Sequence, residues 1–229
     1  IAHTINHSDT AILFADQSLC DDLEADTMSD IKAVMSLDDF KCIHTEMKKV
    51  LSKIEKVQDA YQKNNITRDT FALPNVANEK LASISYTSGT TGFSKGVMTT
   101  HNNLVANIIY AFESIGVRAG DNILSFLPLA HSFGCAFEFL FPFCKGAHIT
   151  FLNKIPSPRI ILEAFDKVKP RLILTVPLIL EKIYNKKIKP KINSQPMKTL
   201  LKIPGAKSLI YKKIKNSLVD AFGGNFIEI

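Results

Sequence analysis

The run Tyr86-Thr87-Ser88-Gly89-Thr90-Thr91-Gly92-Phe93-Ser94-Lys95-Gly96 concentrates residues that can grip an anion. It holds glycines at 89, 92 and 96, hydroxyls at 87, 88, 90, 91 and 94, and one lysine. Glycines let a backbone bend and come close to a bulky group. Successive N–H groups in such a turn form a concavity for anions. The hydroxyls add donors, and Lys95 adds a positive charge. The chemistry this serves is the holding of phosphates, as in a nucleotide site. A second candidate is His131, within Leu127-Pro128-Leu129-Ala130-His131-Ser132-Phe133-Gly134. An imidazole can hydrogen-bond oxygens on which negative charge develops. Taken alone, a histidine at a strand-to-helix junction is more often a cap.

The loop is not a Walker P-loop. That motif spaces its glycines by four residues and follows them with Lys-Ser/Thr. Here Gly89 and Gly92 are too close, and Lys95 is followed by Gly96. The plain alternative is a surface connection rich in Gly, Ser and Thr. A connection has no need of a lysine and so many hydroxyls directly after a strand.

On these residues the chain resembles the adenylate-forming superfamily: acyl-CoA synthetases, firefly luciferase and the adenylation domains of peptide synthetases. In that family the loop closes over the phosphates of ATP and usually carries proline before the lysine; Ser94 stands there in this chain. The resemblance implies that Ser88, Gly89, Thr90, Thr91, Gly92 and Lys95 hold the β- and γ-phosphates. It implies that Thr87 offers a hydroxyl to Mg2+. The segment from Leu127 resembles the family's L-P-x-x-H motif, which implies that His131 stands by the acyl carboxylate and the α-phosphate. His131 and Lys95 are then the catalytic candidates. Phe133 and Phe137 would line an acyl pocket, although either would serve as plain core.

Val176-Pro177-Leu178-Ile179-Leu180-Glu181-Lys182-Ile183-Tyr184, with Pro170 to Thr175 before it, resembles the matching segment of long-chain fatty-acid CoA ligases. The implied reaction joins a fatty acid and ATP into an acyl-adenylate and pyrophosphate. CoA then displaces AMP. ATP, fatty acid and CoA are the implied partners. The family's later Tyr-Gly-x-Thr-Glu segment, its ribose-binding aspartate and its C-terminal-domain lysine do not occur here. The chain is therefore expected to be the middle of a large N-terminal domain, without the C-terminal catalytic-lysine domain, and a poor catalyst alone. Two alternatives stay open. One is an amino-acid-activating domain, with Glu138 as the acid facing the amine. The other is a non-catalytic nucleotide-binding protein.

Those side chains need a scaffold, and the composition supplies one. The chain has 229 residues, 46% hydrophobic and 22% charged, as expected of a globular protein with a substantial core. Its net charge of +6 is unevenly spread. Between Asp16 and Asp39 there are eight acids against one lysine. Between Lys182 and Lys215 there are eleven lysines and no acid. Such a run is either a solvated face or an electropositive surface for phosphates or an anionic membrane. Nucleic acid is a poor fit, since only Tyr184 and Tyr211 could stack and there is no arginine in the run. Cys20, Cys42, Cys135 and Cys144 lack metal-ligand spacing. They read as thiols of a reducing compartment, and the cytoplasm, with peripheral membrane contact through the lysines, is the expected location.

The expected fold is α/β, a mostly parallel doubly wound sheet flanked by helices. Residues 1–80 are read as the end of a first α/β subdomain plus a helical connection. Residues 81–229 are read as the subdomain carrying the phosphate loop. The expected strands are 11–15, 31–37, 81–86, 122–129, 147–152, 171–176 and 225–229. The expected helices are 44–63, one after Thr100 closed by Gly116, 132–144, 158–168, and others from Pro177 through the lysine-rich region. The signature loop, Leu127 to Ser132 and Thr175 to Pro177 would all lie at carboxyl ends of strands, where such sheets bind ligands.

Overall fold

A computed structural model describes residues 2–20, 28, 30–45, 47–63, 73–88, 94–195 and 206–227. The chain divides into two compact units, Ile1–Thr99 and Thr100–Ile229.

The first unit opens with α1 (Ala2–His7), β1 (Ile12–Ala15) and α2 (Gln17–Cys20). Next come β2 (Ala33–Ser36), β3 (Cys42–His44) and α3 (Lys48–Lys63). β1 and β2 run parallel, Ile12 opposite Ala33 and Ala15 opposite Ser36. Every residue of β2 is buried, so this strand is the core of its sheet. β3 returns antiparallel beside it, through the turn at residues 37–39 and Phe40, whose φ is 56°. Residues 42–44, short and without clean alternation, carry no strand signal, and the helix expected from 44 begins only at Lys48. α3 repeats Val50, Leu51, Ile54 and Val57 at three- and four-residue steps, one face of a helix. The unit ends in a two-stranded sheet of β4 (Leu81–Ser88) and β5 (Ser94–Thr100). β5 was not anticipated: the residues after the loop were expected to lead straight to a helix. Its Val97-Met98-Thr99-Thr100 run is rich in strand formers.

In the second unit α4 (His101–Ser114) starts on a capping box. Thr100 Oγ1 accepts from Asn103 N, and Asn103 Oδ1 accepts from Thr100 N. The helix ends at Ile115, extended at φ −107°, rather than at a left-handed glycine. Gly116 instead lies close to the Ile227 side chain, 3.1 Å from where a Cβ would stand. β6 (Asn122–Ser125) pairs in parallel with β7 (His148–Phe151). On its other side Ile123 bridges Leu172, also parallel. The expected strand at 171–176 is reduced to that bridge, and the expected strand at 122–129 stops at Ser125. Arg171 extends the layer, accepting Ile227 N at its carbonyl and donating from its guanidinium to Asn225 O. The expected final strand is thus an irregular edge up to Ile227.

Alternate residues of this sheet face two cores, as the 2.0 period dictates. Leu124, Phe126 and Ile173 pack with Ile161, Phe165, Ile183 and Phe222 on one face. Ile123 and Leu172 pack with Ala111, Val117 and Phe141 on the other. The first core is closed by α7 (Pro158–Val168), α8 (Pro177–Ile183) and α10 (Ala206–Ala221); the second is closed by α4 and α6 (Phe141–Lys145). A parallel sheet covered on both faces by helices is the expected doubly wound arrangement. α8 continues through a π-helix, Tyr184–Ile188, into α9 (Lys189–Ile192). Among the described residues no helix is long and apolar enough to cross a membrane.

Candidate functional site

In the first unit, β4 ends at Ser88 and β5 begins at Ser94, so most of the glycine-rich run falls between the two strands. Gly89, Thr90, Thr91 and Gly92 lie outside the described residues. At that end of the strand pair, Thr87, Ser88 and Lys95 are all exposed. Two features fix the strands beneath them. The Tyr86 hydroxyl hydrogen-bonds His7 Nδ1 at 2.7 Å, and the two rings meet edge-on at 5.7 Å. Across the pair, a Cβ on Gly96 would stand 3.0 Å from Ile84 Cγ2 and 3.4 Å from Tyr86 Cζ. The absent side chain at Gly96 leaves room for the Ile84 and Tyr86 side chains that cover it. His7 anchors the residue with which the glycine-rich run opens. No local pattern could show this, since the partners are 79 positions apart.

In the second unit the site lies at the carboxyl end of β6. The chain leaves the sheet at Phe126 and turns through Leu127, Pro128, Leu129 and Ala130 to His131. α5 (Ser132–Gly134) then runs into a π-helix, Cys135–Leu140, and on into α6. The expected helix 132–144 is thus present with a widened middle.

His131 is the N-cap of this run, in extended conformation at φ −88° and ψ 134°. Its Nδ1 accepts from Phe133 N at 3.2 Å. An acceptor at Nδ1 places the proton of a neutral ring on Nε2. The exposed imidazole thus offers an N–H at Nε2. The plain reading of this histidine as a cap holds at Nδ1, and the functional reading would use Nε2. Beside it the Phe133 and Phe137 rings pack at 5.2 Å, with Phe133 39% exposed.

The turn is held from inside by Glu138, which is fully buried. Its Oε2 accepts from Phe126 N at 2.9 Å, Leu127 N at 2.8 Å and Ser125 Oγ at 3.2 Å. Oε1 is buried and finds no partner among the described residues. Burial pushes the carboxyl up from its ordinary 4.5 to about 7, against the pull of the three hydrogen bonds. Glu138 is thus engaged with backbone and does not face an open site as the amino-acid-binding alternative needs. The other wall is Gly134, where a Cβ would stand 2.7 Å from the Pro128 carbonyl oxygen. His131 N donates to that same oxygen at 3.0 Å. Glu138 was weighed only as an amine ligand in the sequence. An acid amid Phe137, Phe139, Leu140 and Phe141 was the signal that it is buried with a structural partner.

The third expected segment, Thr175-Val176-Pro177, follows the Leu172 bridge and enters α8, so it too leaves the carboxyl side of the sheet. Thr175 Oγ1 is buried and without a partner among the described residues. No described group of three or more His, Cys, Asp or Glu side chains could hold a metal ion.

Residues 1–227 match the model of a family described as AMP-binding enzyme. Among curated proteins, a long-chain-fatty-acid–[acyl-carrier-protein] ligase of Arabidopsis thaliana is 34% identical over 58% of this chain and 18% of its own length. Long-chain-fatty-acid–CoA ligase 5 of Rattus norvegicus is 29% identical over 81% of this chain and 28% of its own. The chain thus spans 18% to 28% of the length of these relatives. Among solved structures, ATP-bound MatB from Rhodopseudomonas palustris shares the fold. Its TM-score is 0.60 at 22% identity, over 81% of this chain and 33% of that one.

Proposed function

The chain belongs to the AMP-binding enzyme family, and we propose that it forms part of an ATP-dependent ligase that joins a long-chain fatty acid to coenzyme A. One observation carries the catalytic reading: His131 caps its helix through Nδ1 and thereby presents Nε2–H outward. The substrate class follows the two related ligases, which share long-chain fatty acids and differ in the thiol carrier.

In the first step a carboxylate oxygen attacks the α-phosphorus of ATP. A phosphorus–oxygen bond forms to the acid, the bond to the bridging oxygen breaks, and pyrophosphate leaves. In the second step a thiolate adds to the acyl carbonyl, and AMP leaves with the electron pair of the broken carbon–oxygen bond. Little covalent work falls to the protein; positioning and charge neutralisation dominate. His131 Nε2–H would donate to the carboxylate and α-phosphate oxygens. Lys95, with Ser88 and residues 89–92, would hold the β- and γ-phosphates. Phe133 and Phe137 would guide the acyl chain.

Mg2+ prefers oxygen ligands and is commonly shared with substrate phosphates rather than caged by protein. The exposed hydroxyl of Thr87 fits that role as one hard donor beside the phosphates. When bound, the ion would neutralise phosphate charge. Lys182, Lys186, Lys189, Lys212 and Lys215 are all exposed, and they would draw the protein to anionic lipid surfaces that carry its substrate.

The test is pyrophosphate release by the intact protein that contains this chain, given ATP, magnesium and either fatty acids of graded length or a set of amino acids. CoA, acyl carrier protein or neither is then supplied. Release with long acids, and thioester only with CoA, is the expected result. Thioester only with carrier protein would replace the acceptor. Release with amino acids alone would move the protein to another branch of the family.

A further inference from the structure

The buried carboxylate of Glu138 and the exposed imidazole of His131 belong to one continuous helical run, and both residues are bonded to the turn that precedes it, Glu138 at Phe126 and Leu127 and His131, through its backbone N–H, at Pro128. We propose that Glu138 is a positioning residue for His131: its grip on the Phe126 and Leu127 amides fixes where β6 turns into the 126–131 segment, and so where the imidazole stands.

Three observations support this. First, the two amides sit where the sheet ladder ends. β6 stops at Ser125, so the N–H groups of Phe126 and Leu127 have left the strand and need another acceptor. Glu138 Oε2 accepts both, at 2.9 and 2.8 Å. Second, the segment is closed at its far end as well. His131 N donates to Pro128 O at 3.0 Å, Cys135 N donates to His131 O at 3.0 Å, and Gly134 admits the Pro128 carbonyl where a Cβ would clash. Between the carboxylate and the cap only Leu129 and Ala130 lack such a tie among these bonds. Third, a π-helix from Cys135 to Leu140 lies between the histidine and α6 and includes Glu138. Its widened turn closes with Phe141 N donating to Ala136 O, five residues back. Isolated π segments recur at functional sites.

A buried acid needs a reason. An apolar side chain in its place would leave the Phe126 and Leu127 amides without their acceptor. Core packing alone would be served by leucine, whereas Glu138 supplies the one thing leucine lacks, an acceptor for two amides that the sheet has released. An imidazole that is to meet a carboxylate and a phosphate within hydrogen-bond reach tolerates little misplacement.

The experiment uses the intact protein with Glu138→Leu, Glu138→Gln and no substitution. Backbone amide exchange is measured over 126–131, together with kcat and the KM for ATP in pyrophosphate release. In the unaltered protein the Phe126 and Leu127 amides exchange as slowly as those of β6. In Glu138→Leu they exchange at least tenfold faster, and kcat falls about 100-fold while the KM for ATP moves less than about threefold. Glu138→Gln keeps an acceptor oxygen at the same place, and it recovers most of both losses. The catalytic readout rests on the ligase reading; the exchange readout does not. If no fatty acid gives pyrophosphate with the unaltered protein, that reading fails and exchange alone decides this one. Fast exchange of the two amides in the unaltered protein overturns the proposal without any variant, so a Glu138→Leu chain that fails to fold does not shield it. Glu138→Leu with unchanged exchange, or with kcat and KM altered in equal measure, also overturns it.

Discussion

The backbone N–H of Phe133 donates to the imidazole Nδ1 of His131 at 3.2 Å. One side chain therefore caps a helix with one nitrogen and holds a donor ready with the other. The two duties separate by substitution. Asparagine is among the best N-caps, and alanine among the poor ones. His131→Ala is expected to lose the cap, about 1 kcal/mol, and to lose about 100-fold or more in pyrophosphate release. His131→Asn should restore the unfolding midpoint without restoring the rate. Denaturant unfolding run beside the turnover assay reads both.

Lys95 is exposed at the start of β5 and forms no ion pair among the described residues, so its loss should leave the fold alone. Lys95→Ala should lower kcat/KM for ATP by roughly 10- to 100-fold with an unfolding midpoint unchanged. An unchanged rate would remove Lys95 from the site.

Gly134 meets the Pro128 carbonyl where a Cβ would stand 2.7 Å away, and the obstructing atom is backbone. Gly134→Ala must therefore push the turn or the helix. A loss of about 1–3 kcal/mol is expected, as for overpacked sites. The rate should fall with it, since the same carbonyl receives the His131 N–H. Thermal unfolding and pyrophosphate release in one preparation would show whether the two losses travel together.

Glu138 makes stability depend on pH. In the folded protein burial raises its carboxyl to about 7, and the unfolded chain returns it to the ordinary value near 4.5. Below that lower value both states hold the proton. Between the two the unfolded state releases it and the folded state keeps it, so stability falls as pH rises and levels off above about 7. The change is on the order of 3 kcal/mol at most. Urea unfolding of the intact protein between pH 4.5 and 8 should show the decline, and Glu138→Gln should flatten it.

Much of this could be seen in the residues themselves. The hydrophobic period read over 44–63, the Thr100 cap and Pro177 at the first turn of α8 are local signals; each gives a helix, although the first begins at Lys48 rather than at 44. The misses share a cause in non-local pairing. β3 exists because β2 offers it an edge, and β5 because β4 does. The strand expected at 171–176 shrinks to one bridge at Leu172, although its Ile173 and Leu172 are buried on opposite faces as a strand would place them. Burial was legible there; the ladder was not. At the site, residue type pointed to His131 and Lys95. The work of Glu138, His7 and Gly96 lies in partners that only the fold brings near.

The π-helix between Cys135 and Leu140 carries one further consequence. Each residue of a regular helix advances about 100° around the axis. Deleting one residue from this stretch would let the run close as an ordinary α-helix, and it would also turn everything upstream by about that angle against everything downstream. Phe141, seated in its core, and His131, seated at the mouth of the turn, could not both keep their bearings. The apolar composition of Cys-Ala-Phe-Glu-Phe-Leu suggests a segment indifferent to change. Conservative swaps at Cys135 or Leu140 should indeed be borne, but the number of residues is fixed, like the tooth count of a gear. In descendants of this chain, insertions and deletions should spare this stretch and collect instead in the surface connections.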